Sequence, residues 1–166
     1  DLLRKDGHYV TDAEFVEVFI NGEYWGVYLL TEMQQVHAER VNISPVASGY
    51  TGTDIGYFLV LDEYYMNEDA LHRFHIDYTD NAPLPPHHSK EGNGVSIISE
   101  IYSQEQRDFI ASYVHNVYRI LYAAAYRNEA YRFNADYTAI EKTTALSPQE
   151  AVGEVVDLQS LIDSYI

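Results

Sequence analysis

The 166-residue sequence predicts an α+β domain in which an antiparallel β-sheet with a hairpin comes first and helices follow. Three observations carry that expectation. Residues 14–31 place Asn21-Gly22 between two apolar runs, residues 56–65 (GYFLVLDEYY) form a continuous aromatic and branched stretch, and residues 103–106 (SQEQ) open a long stretch of helical period. With 46% hydrophobic and 22% charged residues the chain can bury one core. Residues 1–166 therefore read as a single domain, sheet-rich over 1–100 and helical over 101–166.

The elements follow in order. Phe15, Val16, Val18 and Ile20 lead into Asn21-Gly22, and Trp25, Val27, Tyr28 and Leu29 lead out. Asn-Gly tolerates the two positive φ angles of a type I′ turn, which fixes the register of the strand pair. Trp25 is read as a large residue covering a neighbouring strand. Residues 33–43 form a short helical turn or linker with Val36, Val41 and Ile43 packed inward. Residues 56–65 suit a strand buried on both faces, ended by Asp62 and Glu63. Residues 67–94 carry Pro83, Pro85 and Pro86 and lose periodicity, so they read as a long loop with a short strand at 74–77; another strand spans 95–98. The SQEQ capping box begins the longest helix, with Phe109, Ile110, Val114, Val117, Leu121 and Ala124 on its apolar positions. A polar, Thr-rich segment separates it from a short helix at Ser147-Pro148-Gln149-Glu150, and Asp157 caps a last one through Leu158, Leu161, Ile162 and Ile166.

Asp plus Glu number 26 against 10 Lys plus Arg, a formal charge of -16. Such a chain repels phosphate backbones and anionic lipid, which argues against nucleic acid and membrane surfaces as partners. No apolar run approaches the roughly 20 residues of a membrane span. The absence of cysteine removes thiolate chemistry and leaves the compartment open. The N-terminal DLLRKDGHYV has no signal-peptide pattern, and VVDLQSLIDSYI stops in mid-pattern, so both ends read as boundaries within something longer.

Candidate chemistry is sparse. Asp62, Glu63, Glu68 and Asp69 lie near His72 and His75, but the spacing matches neither a zinc-protease helix nor a calcium loop, and no metal is assigned. His87 and His88 sit in the long loop. There is no glycine-rich phosphate loop and no serine nucleophile elbow, so no catalytic residue is assigned within these 166 residues. The 16 tyrosines allow a carbohydrate-stacking surface, although Tyr113, Tyr118, Tyr122 and Tyr126 fall on the long helix, where partial burial accounts for them. Asn42-Ile43-Ser44 has glycosylation-acceptor spacing.

FVEVFINGEYWGVYLLTE, followed by RVNI and then GYFLVLDEYY, closely resembles the CotH kinase family, named for a bacterial spore-coat protein; the likeness extends through SEIYSQEQRDFI into VDLQSLIDSYI. The resemblance implies an atypical protein-kinase-like fold, Mg-ATP binding and phosphoryl transfer to a protein, in a spore coat, at a cell surface or outside the cell of a bacterium. It implies a nucleotide hinge at Thr31, Glu32, Met33 and Gln34, with Glu32 acting chiefly through its backbone, Arg40 as a partner for its side chain, and Asp62 in support. The family's catalytic carboxylates resemble an N-x-D loop and a later W-D-x-D segment, both beyond the DLQSLIDSYI helix, and no upstream phosphate-contacting lysine is present unless Lys5, very near the start, serves. The hinge and scaffold are thus expected without the chemistry. A non-catalytic structural or interaction module of a coat, surface or polysaccharide-degrading complex is the alternative, with dimerisation through exposed apolar surface.

Overall fold

The computed structural model describes residues 11–33, 35–38, 41–76 and 94–163. The chain divides into two compact units, 1–43 and 44–166. The 1–100 and 101–166 partition read from the sequence runs across this division.

In the first unit, strands β1 (Ala13–Ile20) and β2 (Glu23–Thr31) form an antiparallel hairpin. Asn21 and Gly22 take φ of 53° and 84°, the left-handed pair that a type I′ turn requires. The register passes from Phe19 opposite Tyr24 to Val18 opposite Gly26, so Trp25 is the extra residue of a β-bulge. Trp25 is 57% exposed. Its expected role as a cover for a neighbouring strand gives way to that of a bulge residue, which sharpens the twist of the ribbon near its turn. Because partners across a ladder share a face, Phe15, Phe19, Val27 and Leu29 line one side, while Ile20, Tyr28 and Leu30 line the other. All seven are exposed. Of the two expected alternatives, helical turn or linker, the described residues show no helical turn, and a parallel bridge joins Val36 and Val41. Its loop is closed by the His37 N–H donating to the Val41 carbonyl at 3.2 Å.

The second unit holds a three-stranded antiparallel sheet in the order β3-β5-β4, from β3 (Leu59–Asp62), β4 (Arg73–Phe74) and β5 (Gly94–Ile97). The continuous apolar run predicted a strand buried on both faces, yet β3 is an edge strand and its Leu61 is exposed. The fully buried strand is β5, because it pairs on both sides. Position in the sheet outweighs hydropathy here. The strand expected at 74–77 is only Arg73–Phe74 among the described residues; His87 and His88 lie outside them.

Ser103 and Gln106 complete the predicted capping box on α1 (Gln104–Tyr122), the longest element, which runs on as a π-helical turn through Arg127. Gln106 is fully buried. Its amide nitrogen donates to the Tyr50 and Gly52 carbonyls at 3.0 and 2.8 Å, and its amide oxygen accepts the Tyr102 and Ser103 N–H groups. One side chain therefore caps the helix and ties it to the chain before β3. Ile110 packs with Phe74, Ile76, Val95, Ile97 and Ile101 to form the core. Tyr113 and Tyr118 are half-buried, as expected, and Tyr122 is buried, but Tyr126 is exposed.

The segment read as merely polar contains a further hairpin, β6 (Tyr131–Phe133) and β7 (Ile140–Lys142). Helix α2 (Pro148–Gly153) begins where predicted, with a capping box between Ser147 and Glu150, and α3 (Leu158–Asp163) starts at Asp157, whose carboxylate accepts the Gln159 and Ser160 N–H groups. Ile166 lies outside the described residues. Among the described residues no helix is long and apolar enough to cross a membrane.

Candidate functional site

The expected hinge begins where β2 ends. Thr31 is the last strand residue, opposite Ala13. The next pair is held by a reciprocal clasp: the Glu32 N–H donates to the Asp12 carbonyl at 3.0 Å, and Glu32 Oε2 accepts the Asp12 N–H at 3.1 Å. Glu32 thus extends the ladder by one step using its side chain as well as its backbone. That step fixes the direction in which the chain leaves the hairpin.

Met33 follows at once, 75% exposed, and its main chain has no hydrogen-bond partner among the described residues. One donor and one acceptor on adjacent main-chain atoms, directly after a rigid strand pair, are what a planar heterocycle with complementary edges can engage. A concavity of about 470 Å³ lies against this end of the hairpin, lined by Asp12, Ala13, Glu14, Leu30, Thr31 and Glu32. Leu30 and Ala13 supply apolar surface; the acidic residues make it unfavourable for bare phosphate. Gln34 and Arg40 lie outside the described residues.

Asp62 belongs to the second unit, at the end of β3, where its Oδ1 accepts the Tyr64 N–H at 2.6 Å. That bond builds a local turn. Nearby, Asp69 accepts the Leu71 and His72 N–H groups and lies 3.0 Å from His72 Nδ1. The histidine contact holds the Asp69 carboxyl below its ordinary range. Among the described residues no three His, Asp or Glu side chains gather as a metal would need. Asn134-Ala135-Asp136 has N-x-D spacing, but the Asn134 carbonyl oxygen accepts the Thr138 and Ala139 N–H groups at 2.9 and 3.1 Å. The acceptor is the side-chain amide oxygen Oδ1, so that asparagine builds a turn.

Sequence reasoning set the expected hinge at the end of this strand but missed Asp12, whose signal is faint: it stands one residue before a strand and pairs with a residue twenty positions on. It also missed the 134–139 turn, for which Asn and Asp between Phe133 and Ile140 were the available sign.

The family model described as CotH kinase protein matches residues 1–166, the whole chain. No curated protein and no solved structure gives a significant match.

Proposed function

The chain belongs to the CotH kinase protein family, and on that premise we propose that it supplies the adenine-holding hinge of an atypical, kinase-like phosphotransferase acting on a coat or surface protein. The observation that carries this proposal is the exposed Met33 beside the clasped end of the hairpin, its main chain unengaged among the described residues. Thr31 and Glu32 hold the strand end and Met33 meets the base, with Gln34 and Arg40 assigned to the hinge on the family likeness alone. The whole protein would bind Mg-ATP at a cell surface, in a spore coat or outside the cell.

The base and phosphate ends of the nucleotide fit this chain differently. The hinge offers the adenine edge a donor, an acceptor and an apolar floor at Leu30. Magnesium requires an octahedral oxygen set, and among the described residues no such group of carboxylates assembles. No phosphoryl-transfer step is therefore assigned to these residues. Adenosine is expected to bind the chain about as well as Mg-ATP. Calorimetric titration of both tests this: saturable heat from each, lost in Met33→Pro and kept in Met33→Ala, supports the hinge. Absence of heat with either compound would overturn it.

The same hairpin supports a second reading, a non-catalytic structural or interaction module. Both of its faces are apolar and exposed, which suits a contact surface. On this reading the chain self-associates, sedimentation velocity detects a concentration-dependent dimer, and Phe15→Ser with Leu29→Ser removes it.

A further inference from the structure

Within the second unit, α1, the β6–β7 hairpin and the segment after α2 enclose a pocket of about 560 Å³, a volume typical of small-ligand sites. Three aromatic rings line it. Tyr113 and Phe133 stack in parallel, centroids 4.8 Å apart with 4° between planes, and Tyr137 leans against both at 6.3 and 5.7 Å. Two carboxylates, Glu141 and Glu154, and one cation, Arg132, share the lining. Arg132 stands opposite Glu141 in the strand register, so the lining carries one net negative charge, with Glu154 the carboxylate that has no basic cross-strand neighbour. None of the three takes part in an ion pair among the described residues.

Tyr137 reaches this position at a conformational cost. Its φ is 57°, a left-handed conformation that a bulky side chain rarely takes. Asn134 makes it possible: it holds the two N–H groups on the far side of the turn, donates to the Thr138 hydroxyl at 3.1 Å, and its carbonyl accepts the Tyr137 N–H. An asparagine or glycine at 137 would satisfy the same turn without strain. The tyrosine ring instead adds a third aromatic wall to the pocket.

From the rings and the leftover carboxylate we propose that this pocket binds an organic cation of the guanidinium or alkylammonium class. The negative faces of aromatic rings attract such a group, Glu154 neutralises it, and the overall charge of -16 concentrates cations near the surface. An anion meets two carboxylates against the single guanidinium of Arg132, and a bare sugar brings no charge for Glu154 to neutralise. The site is separate from the hinge and does not depend on the nucleotide reading.

The test is an NMR titration of the 166-residue chain with N-acetyl-arginine amide, with tetramethylammonium, and with N-acetyl-glutamate amide as the anionic control. Ring resonances of Tyr113, Phe133 and Tyr137 should shift with both cations and stay fixed with the control. Tighter binding of the arginine compound identifies a basic peptide side chain as the natural source, and tighter binding of tetramethylammonium a free quaternary amine. Glu154→Gln should weaken binding about 2- to 5-fold, the scale of one exposed charge or cation–π contact. Tyr137→Asn keeps the turn and should weaken binding at least as much while the amide spectrum stays folded. Equal shifts with the glutamate compound, no shifts with any of the three, or binding unchanged in both variants would overturn the proposal.

Discussion

Two hairpins among the described residues, β1–β2 and β6–β7, are built on opposite principles. The β1–β2 hairpin has strands of eight and nine residues, a two-residue turn, and few half-buried side chains, chiefly Val16 and Val18. The β6–β7 hairpin has strands of three residues, and its turn is organised by one side chain, Asn134. It is also tied outward: Phe133 stacks on Tyr113 of α1, and the Lys142 ammonium meets Glu129 at 2.5 Å. The first is specified by its own turn chemistry. The second exists because a helix and a polar network hold it.

That difference predicts where each hairpin breaks. The largest effect should come from Gln106→Leu, which leaves the Tyr50 and Gly52 carbonyls and two N–H groups without their partner. The loss should be about 3 kcal/mol. Urea titration followed by amide exchange should show β6–β7 losing protection together with α1, while β1–β2 keeps its own. Asn134→Ala should cost about 2 kcal/mol and open β6–β7 with α1 intact, seen as loss of protection at Thr138 and Ala139. Replacing Gly22 by Ala, at a φ of 84°, should cost about 1 kcal/mol and fray β1–β2 from the turn end alone.

The smallest effect is one of pH. Burial pushes the Tyr57 phenol up to about 12 from its ordinary 10.0. Burial disfavours the phenolate, so the folded chain holds this proton more tightly than the unfolded one. The stabilisation it lends is complete below pH 10 and disappears as pH rises through about 12. Denaturation followed across that window should show a slope that Tyr57→Phe reduces. The β1–β2 amides should not report it.

The two hairpins also explain what the sequence made legible. Asn21-Gly22 is a local signal, readable from two residues, and the capping boxes at Ser103 and Ser147 are equally local. The Trp25 bulge was hidden because a bulge leaves the composition of a strand unchanged and alters only the pairing. The edge position of β3 was hidden for a related reason: GYFLVLDEYY states hydropathy but not how many neighbours a strand has. The β6–β7 pair was invisible because strands of three residues carry almost no periodicity. At the proposed hinge, Thr31 and Met33 were named from likeness to a family, whereas the clasp between Glu32 and Asp12 needed coordinates.

The account rests most heavily on the main chain of Met33 as the place where a base is held. Titrating adenosine into the isotopically labelled chain and following backbone amides tests it directly. The predicted result is a saturable downfield shift of the Met33 amide, with smaller shifts at Thr31, Glu32 and Asp12 and none at Tyr137 or Glu154. Shifts confined to the second unit, or none at Met33 under saturating adenosine, would contradict it.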